Sequence, residues 1–581
     1  MKKELLNTLI NELEKTNLPI DDVEFVLSKD EKILKKLALL DKELFKTAID
    51  IILMYKDDRD IITAIELLTN AREKVLPYLI KTLTNAYLEA HGLIMESAKI
   101  ISESKDDYNV PIIYKVLTNK DLIEAKIVLD AVRIINKIKG KHNIANAYRV
   151  LTNKDAIEAR IALAGAEIIN ESKEWHNAYY AYEVLTNKYL IESGIALDAA
   201  RIINESKEEY NAEYAYKVLT NKDAIEARIA LDGAKIINES KEKYNAEYAY
   251  KVLTNKDAIE ARIALAGAEI INESKEKYNA YYAYLVLTNK DLIEAEIALA
   301  GAKIINESKE EYNARFAYEV LTNKDLIELG MALAAARIIN SSKEVNNALY
   351  AHRVLTNKNA IEAKIALAGA EIINESKEWH NAYYAYEVLT NKYLIESGIA
   401  LGAARIINES KEEYNANYIW LFLISRKVRE AKMALAAARI INESKTEYNA
   451  DYALRILLSE NAIKAGIALE GARIVNEVKD KNIAEYVYRV FTNENAIKMR
   501  MAHKYAGIIC HAKNREVAYF TCEFLLGETT VSLDSEERLS IASEIATFSE
   551  IEQITKKGYM GNVINLSFKR DRNLNFYLFL V

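Results

Sequence analysis

From Leu83 onward, the order of hydrophobic and polar positions along the chain repeats every 34 residues. A leucine opens each block at Leu83, Leu117, Leu151, Leu185, Leu219, Leu253, Leu287, Leu321, Leu355, Leu389, Leu423 and Leu457, and Phe491 takes its place once more. Within a block the apolar positions fall at helical spacing. In the repeat from Leu253 to Val286, Ile259, Ile263, Ala266 and Ile270 form one stripe, and Ala261, Leu265, Ala268 and Ile271 form a second. A helix apolar on two sides is buried between neighbours. A fixed period of this length marks an array in which each repeat covers its apolar face with the next.

Local signals divide the repeat into two helices. Asp257-Ala-Ile-Glu260 has capping-box spacing, with Thr254 to Asp257 as a competing register, so the first helix is predicted to start at Lys256 or Asp257 and to end near Glu273. Its small residues, Ala264, Gly267 and Ala268, let an adjacent helix approach closely. A serine is then the expected N-cap of a shorter second helix, most clearly at Ser206 and Ser308, each followed by glutamate three residues later. On that second helix Ala249, Val252 and Leu253 face the core, while Tyr244, Glu247 and Lys251 share the opposite face. The expected fold is all-α: an αα-solenoid wound as a right-handed superhelix of about thirteen two-helix repeats with helical caps.

Residues 1–82 are helical in pattern but off the period and read as an N-terminal cap. The array occupies 83–524, and 525–581 holds a C-terminal cap and a non-repeat tail, with a helix expected over 533–557 and no element assigned to 559–581. Glu167–Ala212 and Glu371–Ala416 lie six repeats apart and differ only at Asp198 against Gly402, which points to duplication in blocks.

Charge narrows the function classes. A net charge of −8 is small for 581 residues and is spread over near-neutral repeats, so no global field draws in nucleic acid or an anionic membrane. Two cysteines, Cys510 and Cys522, cannot form a disulfide framework and point to a reducing compartment. The first residues lack a signal-peptide pattern, and no apolar stretch is long enough for a membrane span. The expected location is cytoplasmic, with signal-independent export left open.

The 34-residue length, the small residue inside the shorter helix (Ala249, Ala283) and the Ala-x3-Leu-x2-Ala pattern at Ala261, Leu265 and Ala268 resemble the tetratricopeptide class of helical repeats, over about Leu83 to Leu525. Asn245 and Glu273 stand where that class places an aromatic and a proline. The resemblance implies partner binding along a concave face.

Three families of positions are candidates for chemistry. Asparagine recurs in the turn (Asn119, Asn153), at the end of the first helix (Asn136, Asn170, Asn204, Asn238, Asn272, Asn306) and in the second helix (Asn211, Asn245, Asn279, Asn313), where it is expected to cap helices and bond between repeats. Lysine follows the turn asparagine at Lys120, Lys154, Lys188, Lys222, Lys256, Lys290, Lys324, Lys358 and Lys392, a ladder that could track phosphates if it were not neutralised by neighbouring Asp and Glu. Tyrosine clusters in the shorter helix, where Tyr248 and Tyr282 are expected to pack on neighbours.

Variation singles out one face of that helix. A single register reads Tyr179, Glu213, Glu247, Tyr281, Arg315, Leu349, Tyr383, and its partner one turn on reads Glu183, Lys217, Lys251, Leu285, Glu319, Arg353, Glu387, while flanking positions barely change. With Tyr244, these are the expected partner-binding residues, Tyr and Arg being the types that make interface hot spots. A second varying face is expected on the longer helix, at Lys126, Arg160, Gly194, Arg228, Arg262, Glu296 and at Arg133, Glu167, Arg201, Lys235, Glu269, Lys303. No nucleophile or phosphate-loop motif is present, and His503, Cys510, His511 and Cys522 match no common zinc spacing, so neither an enzyme, a cofactor nor a metal is expected. The expected function is a non-enzymatic protein- or peptide-binding scaffold, and the alternative is nucleic-acid binding along the lysine ladder.

Overall fold

The computed structural model describes residues 3–425, 431–527 and 535–547. Every regular element among them is a helix. The repeat contains three helices, one more than expected. In the copy that opens at Leu253 these are a short helix, Lys256–Glu260, a middle helix, Ala264–Asn272, and a tyrosine helix, Lys277–Leu287.

The expected long helix is broken at Arg262, whose φ of 60° is left-handed. The Arg262 N–H donates to the Ile259 carbonyl and the Ile263 N–H to the Ala258 carbonyl, both at 3.0 Å. This pair of bonds is a Schellman motif, which closes one helix and turns the chain into the next. The same register is left-handed at Lys126, Arg160, Arg228, Glu296, Lys364 and Arg500, and at Gly92, Gly194, Gly330, Gly398 and Gly466. The first half of the expected second varying face is therefore a row of turn residues rather than a helical face. Its other half, from Arg133 to Lys303, does lie exposed on the middle helices.

Caps also differ from expectation. The short helix starts at Lys256, as predicted, but its cap is Asn255, whose Oδ1 accepts from the Ala258 N–H at 2.9 Å. The tyrosine helix Glu209–Leu219 is preceded by Glu208 with no side-chain cap, and Glu311–Leu321 by Glu310 likewise. Ser206 sits two residues before that cap, buried, with its hydroxyl donating to Asn238 Oδ1 at 2.5 Å. Burial against the next repeat has taken the serine away from capping.

The chain forms two compact bodies, Met1–Ile293 and Glu294–Val581. In the first, the tyrosine helices from Leu76–Leu83 to Lys243–Leu253 each pack on the middle helix that follows and beside the next tyrosine helix, as Trp175–Leu185 does on Ala196–Asn204 and Glu209–Leu219. Middle helices contact middle helices, and short helices contact short helices, giving three rows. The second body repeats these pairings from Glu311–Leu321 onward. The core is made of Ala249, Val252, Leu253, Ala264, Ala268 and Ile271 and their counterparts, all nearly inaccessible. Burying each such Val, Leu or Ile side chain stabilises the array by about 1.5–3 kcal/mol. Packing is close at Gly267, where a Cβ would lie 3.1 Å from both Val252 and Leu287.

Two asparagine ladders bind repeat to repeat. Asn272 Nδ2 donates back to the Ile236 carbonyl at 3.1 Å, and Asn340 to Ile304 at 3.0 Å. Asn245 Nδ2 donates forward to the Ser274 carbonyl at 3.0 Å, as Asn313 does to Ser342 at 3.0 Å. The middle helix thus finds partners for carbonyls that a helix end leaves open. This is the structural role expected for both series, with the backward bond found from Asn204 on and not at Asn136 or Asn170.

Helices Lys3–Glu14, Ile20–Leu27, Glu31–Leu37, Lys42–Met54 and Asp58–Thr69 precede the array. The helix expected over 533–557 is present from Ser535 to Thr547; the rest of it, and the tail 559–581, lie outside the described residues.

Candidate binding face on the tyrosine helices

The tyrosine helices carry a constant stripe of rings. In the first body, Tyr214 stacks on Tyr250 with centroids 5.6 Å apart and Tyr248 on Tyr284 at 5.5 Å. In the second, Tyr350 stacks on Tyr386 at 5.5 Å and Tyr452 on Tyr488 at 5.4 Å. Each contact joins one repeat to the next and contributes about 0.5–1.5 kcal/mol beyond area burial. The rings are structural, as expected for Tyr248.

The variable register lies beside this stripe. Lys217 donates to Glu213 at 2.6 Å and Lys251 to Glu247 at 2.7 Å, one helical turn apart, and in the second body Arg315 Nε donates to Glu319 at 3.0 Å. The hydrogen bond that each of the two lysines donates to its glutamate raises its pKa above the ordinary value. The Lys251 ammonium also sits over the rings of Tyr248 and Tyr284, 4.9 and 5.6 Å from their centroids. Tyr179 and Tyr281 are each 40% exposed and meet Tyr180 and Tyr282 edge-on. Tyr383 meets Tyr384 in the same way, while Glu183 and Leu285 are half-buried.

Tyr244 also ties one repeat to the next. Its hydroxyl donates to the Lys275 carbonyl at 3.0 Å, as Tyr210 does to Lys241, Tyr312 to Lys343 and Tyr448 to Lys479. It is a clasp between repeats.

Sequence reasoning passed over three features. His352 breaks the tyrosine stripe: its ring stacks on Phe316 at 5.0 Å and its Nε2 lies 3.0 Å from Glu319. Burial lowers its pKa, against the pull of Glu319. Trp175 and Trp379 are each 54% exposed at the first position of their helices, where most repeats hold a charged residue. His176 and His380 beside them occupy the clasp register of Tyr210 and are buried. The signals were local changes of type: histidine between Tyr318 and Tyr386 in one register, and tryptophan where Glu209, Lys243 and Lys277 stand in another.

The lysine ladder runs along the short helices. Lys154, Lys188, Lys222, Lys256, Lys358 and Lys392 each lie 3.6–3.7 Å from the glutamate one turn on, such as Glu158 or Glu260. Lys120 stands over the Tyr87 ring at 5.7 Å. Cys510 and Cys522 are not brought together with the histidines. Cys522 is buried, its thiol pushed up to about 12 chiefly by that burial, whereas Cys510 is exposed; His503 pairs with Glu470 at 2.8 Å and His511 Nδ1 meets the Gly507 carbonyl. Among the described residues, no group of three or more His, Cys, Asp or Glu is placed to hold a metal ion, and no helix is long and apolar enough to cross a membrane.

These elements define an all-helical tandem-repeat protein with a ring stripe and, beside it, a variable register that is half-buried at Glu213 and Glu247 and exposed at Tyr179, Tyr281 and Arg315. No protein-family model and no curated protein matches the chain in sequence.

Proposed function

We propose that the chain is a non-enzymatic scaffold that binds a protein or peptide along the exposed face of its tyrosine helices. One observation carries this reading: side chains change type freely at Glu213, Glu247, Tyr281, Arg315 and Tyr383, while the rings one residue away stay aromatic. An array built from constant letters keeps its recognition in the variable ones. The tetratricopeptide-like features of the sequence favour the same role by analogy of architecture. The free cysteines accord with a reducing, cytoplasmic setting. The ion pairs along the short helices weaken the nucleic-acid alternative, because a lysine already paired has less to offer a phosphate.

A photo-crosslinking amino acid placed at position 281, and separately at 256, tests the assignment in cells. Protein adducts are expected at 281 and not at 256. Adducts to nucleic acid, or protein adducts from 256 alone, would overturn it.

A further inference from the structure

Three consecutive tyrosine helices of the first body, Leu76–Leu83, Val110–Leu117 and Lys141–Leu151, contain no acidic residue. Each carries an exposed cation at the register later held by Lys217 and Lys251: Lys81, Lys115 and Arg149. The later lysines have Glu213 and Glu247 one turn back. The earlier three have Pro77, Pro111 and Ala145 there, and none of them makes an ion pair among the described residues. Tyrosine lies beneath the strip: the Lys81 ammonium is 5.7 Å from the Tyr78 centroid, the Arg149 guanidinium is 5.3 Å from that of Tyr182, and Tyr78 and Tyr114 are 6.0 Å apart.

We propose that this strip docks an acidic peptide in the polyproline II conformation with a carboxylate at every third residue. The inference rests on the scaffold reading and gives the partner a chemistry. Packed helices lie about 8–10 Å apart, so the three cations recur at about that interval. A polyproline II helix has three residues per turn and rises about 3.1 Å per residue, which brings every third side chain to one side at about 9 Å intervals. In a β-strand, by contrast, residues three apart face opposite ways. Aromatic-lined surfaces are the usual receptors for this conformation. A nucleic-acid strand fits less well. Glu183, Glu213 and Glu247 on the following helices would repel a continuing phosphate chain.

The test uses the full chain and fluorescence anisotropy. Three probes are compared: a labelled peptide of three Glu-Pro-Pro triplets, a peptide of the same composition with its glutamates adjacent, and a labelled oligothymidylate. The triplet peptide is expected to bind most tightly, and Lys81→Gln, Lys115→Gln and Arg149→Gln together should weaken it about tenfold or more with the melting temperature unchanged. The control Lys222→Gln with Lys256→Gln should leave binding as it is. Equal binding of the permuted peptide, no effect of the triple variant, tighter binding of the oligonucleotide, or no binding at millimolar peptide would each overturn the proposal. Protein adducts at position 281 alongside any of these results would sink this docking site and leave the scaffold standing.

Discussion

Asn245 Nδ2 donates to the Ser274 carbonyl at 3.0 Å, reaching from one repeat to the end of the next repeat's middle helix. The asparagine is buried, so a donor lost there is not replaced by water. Asn245→Ala is expected to cost about 1–3 kcal/mol at that junction. Asn245→Asp, which swaps the donor for a charged acceptor, should cost more. Hydrogen exchange over 269–287 checks this, since in an array the opening should be confined to neighbouring repeats.

The left-handed turn makes a prediction of opposite character. Gly194 has φ of 75° and open space around the position of a Cβ, so Gly194→Ala meets no clash and should cost only the backbone term, about 1–2 kcal/mol. Arg262→Gly at the same register should relieve that strain. Urea unfolding of the two variants should move in opposite directions.

Packing predicts a contrast between two glycines at one register. A Cβ at Gly471 would fall 2.7 Å from the Phe491 ring, against 3.1 Å from Leu287 at Gly267. Ala199 and Ala335 already occupy this register, so a leucine neighbour can yield. Gly267→Ala should therefore be near neutral, helped by the better helix propensity of alanine, whereas Gly471→Ala should destabilise by about 1–3 kcal/mol. Thermal melts of the two variants decide the point.

His352 supplies a pH dependence. Burial holds its folded pKa below the ordinary imidazole value, so on acidification the unfolded chain takes up a proton before the folded one. Stability present at neutral pH should be lost as the pH falls below about 6.5. The loss should shrink in His352→Tyr, which restores the ring found at this register elsewhere. Denaturation midpoints at pH 7 and pH 5 measure it.

The cysteines should separate by reactivity. Burial raises both thiols, but Cys510 is exposed to reagent while Cys522 is not. Alkylation at pH 8 should label Cys510 in the native protein and reach Cys522 only after unfolding, with mass spectrometry reading the two sites.

Much of this molecule was legible in one dimension. Leu253, Val252 and Ala268 declared the core by their spacing, and Asn245 near the start of one helix and Asn272 at the end of another declared the ladders by recurring. The break at Arg262 was not seen, because arginine is an ordinary helix former and only comparison with Gly194, Gly330 and Gly398 at the same register exposes the backbone's demand. Ser206 misled for a related reason: its local pattern is that of a cap, but Asn238 on the next repeat competes for its hydroxyl. Tyr244 and Glu247 share a helical face, and only the distance to the Lys275 carbonyl separates a clasp from a free surface.

The two asparagine ladders carry a consequence for how such a chain changes length. The ladders use one hand extended backward and one forward, and from Asn204 on the same pair of hands recurs at successive junctions, as at Asn238 with Asn211 and Asn272 with Asn245. Cutting the array at any two equivalent points leaves ends that fit each other, so whole repeats can be added or removed without inventing a contact. A single inserted residue leaves both hands out of reach. The molecule behaves as a rule graduated in steps of 34 residues, on which the markings can be rewritten while the scale is kept.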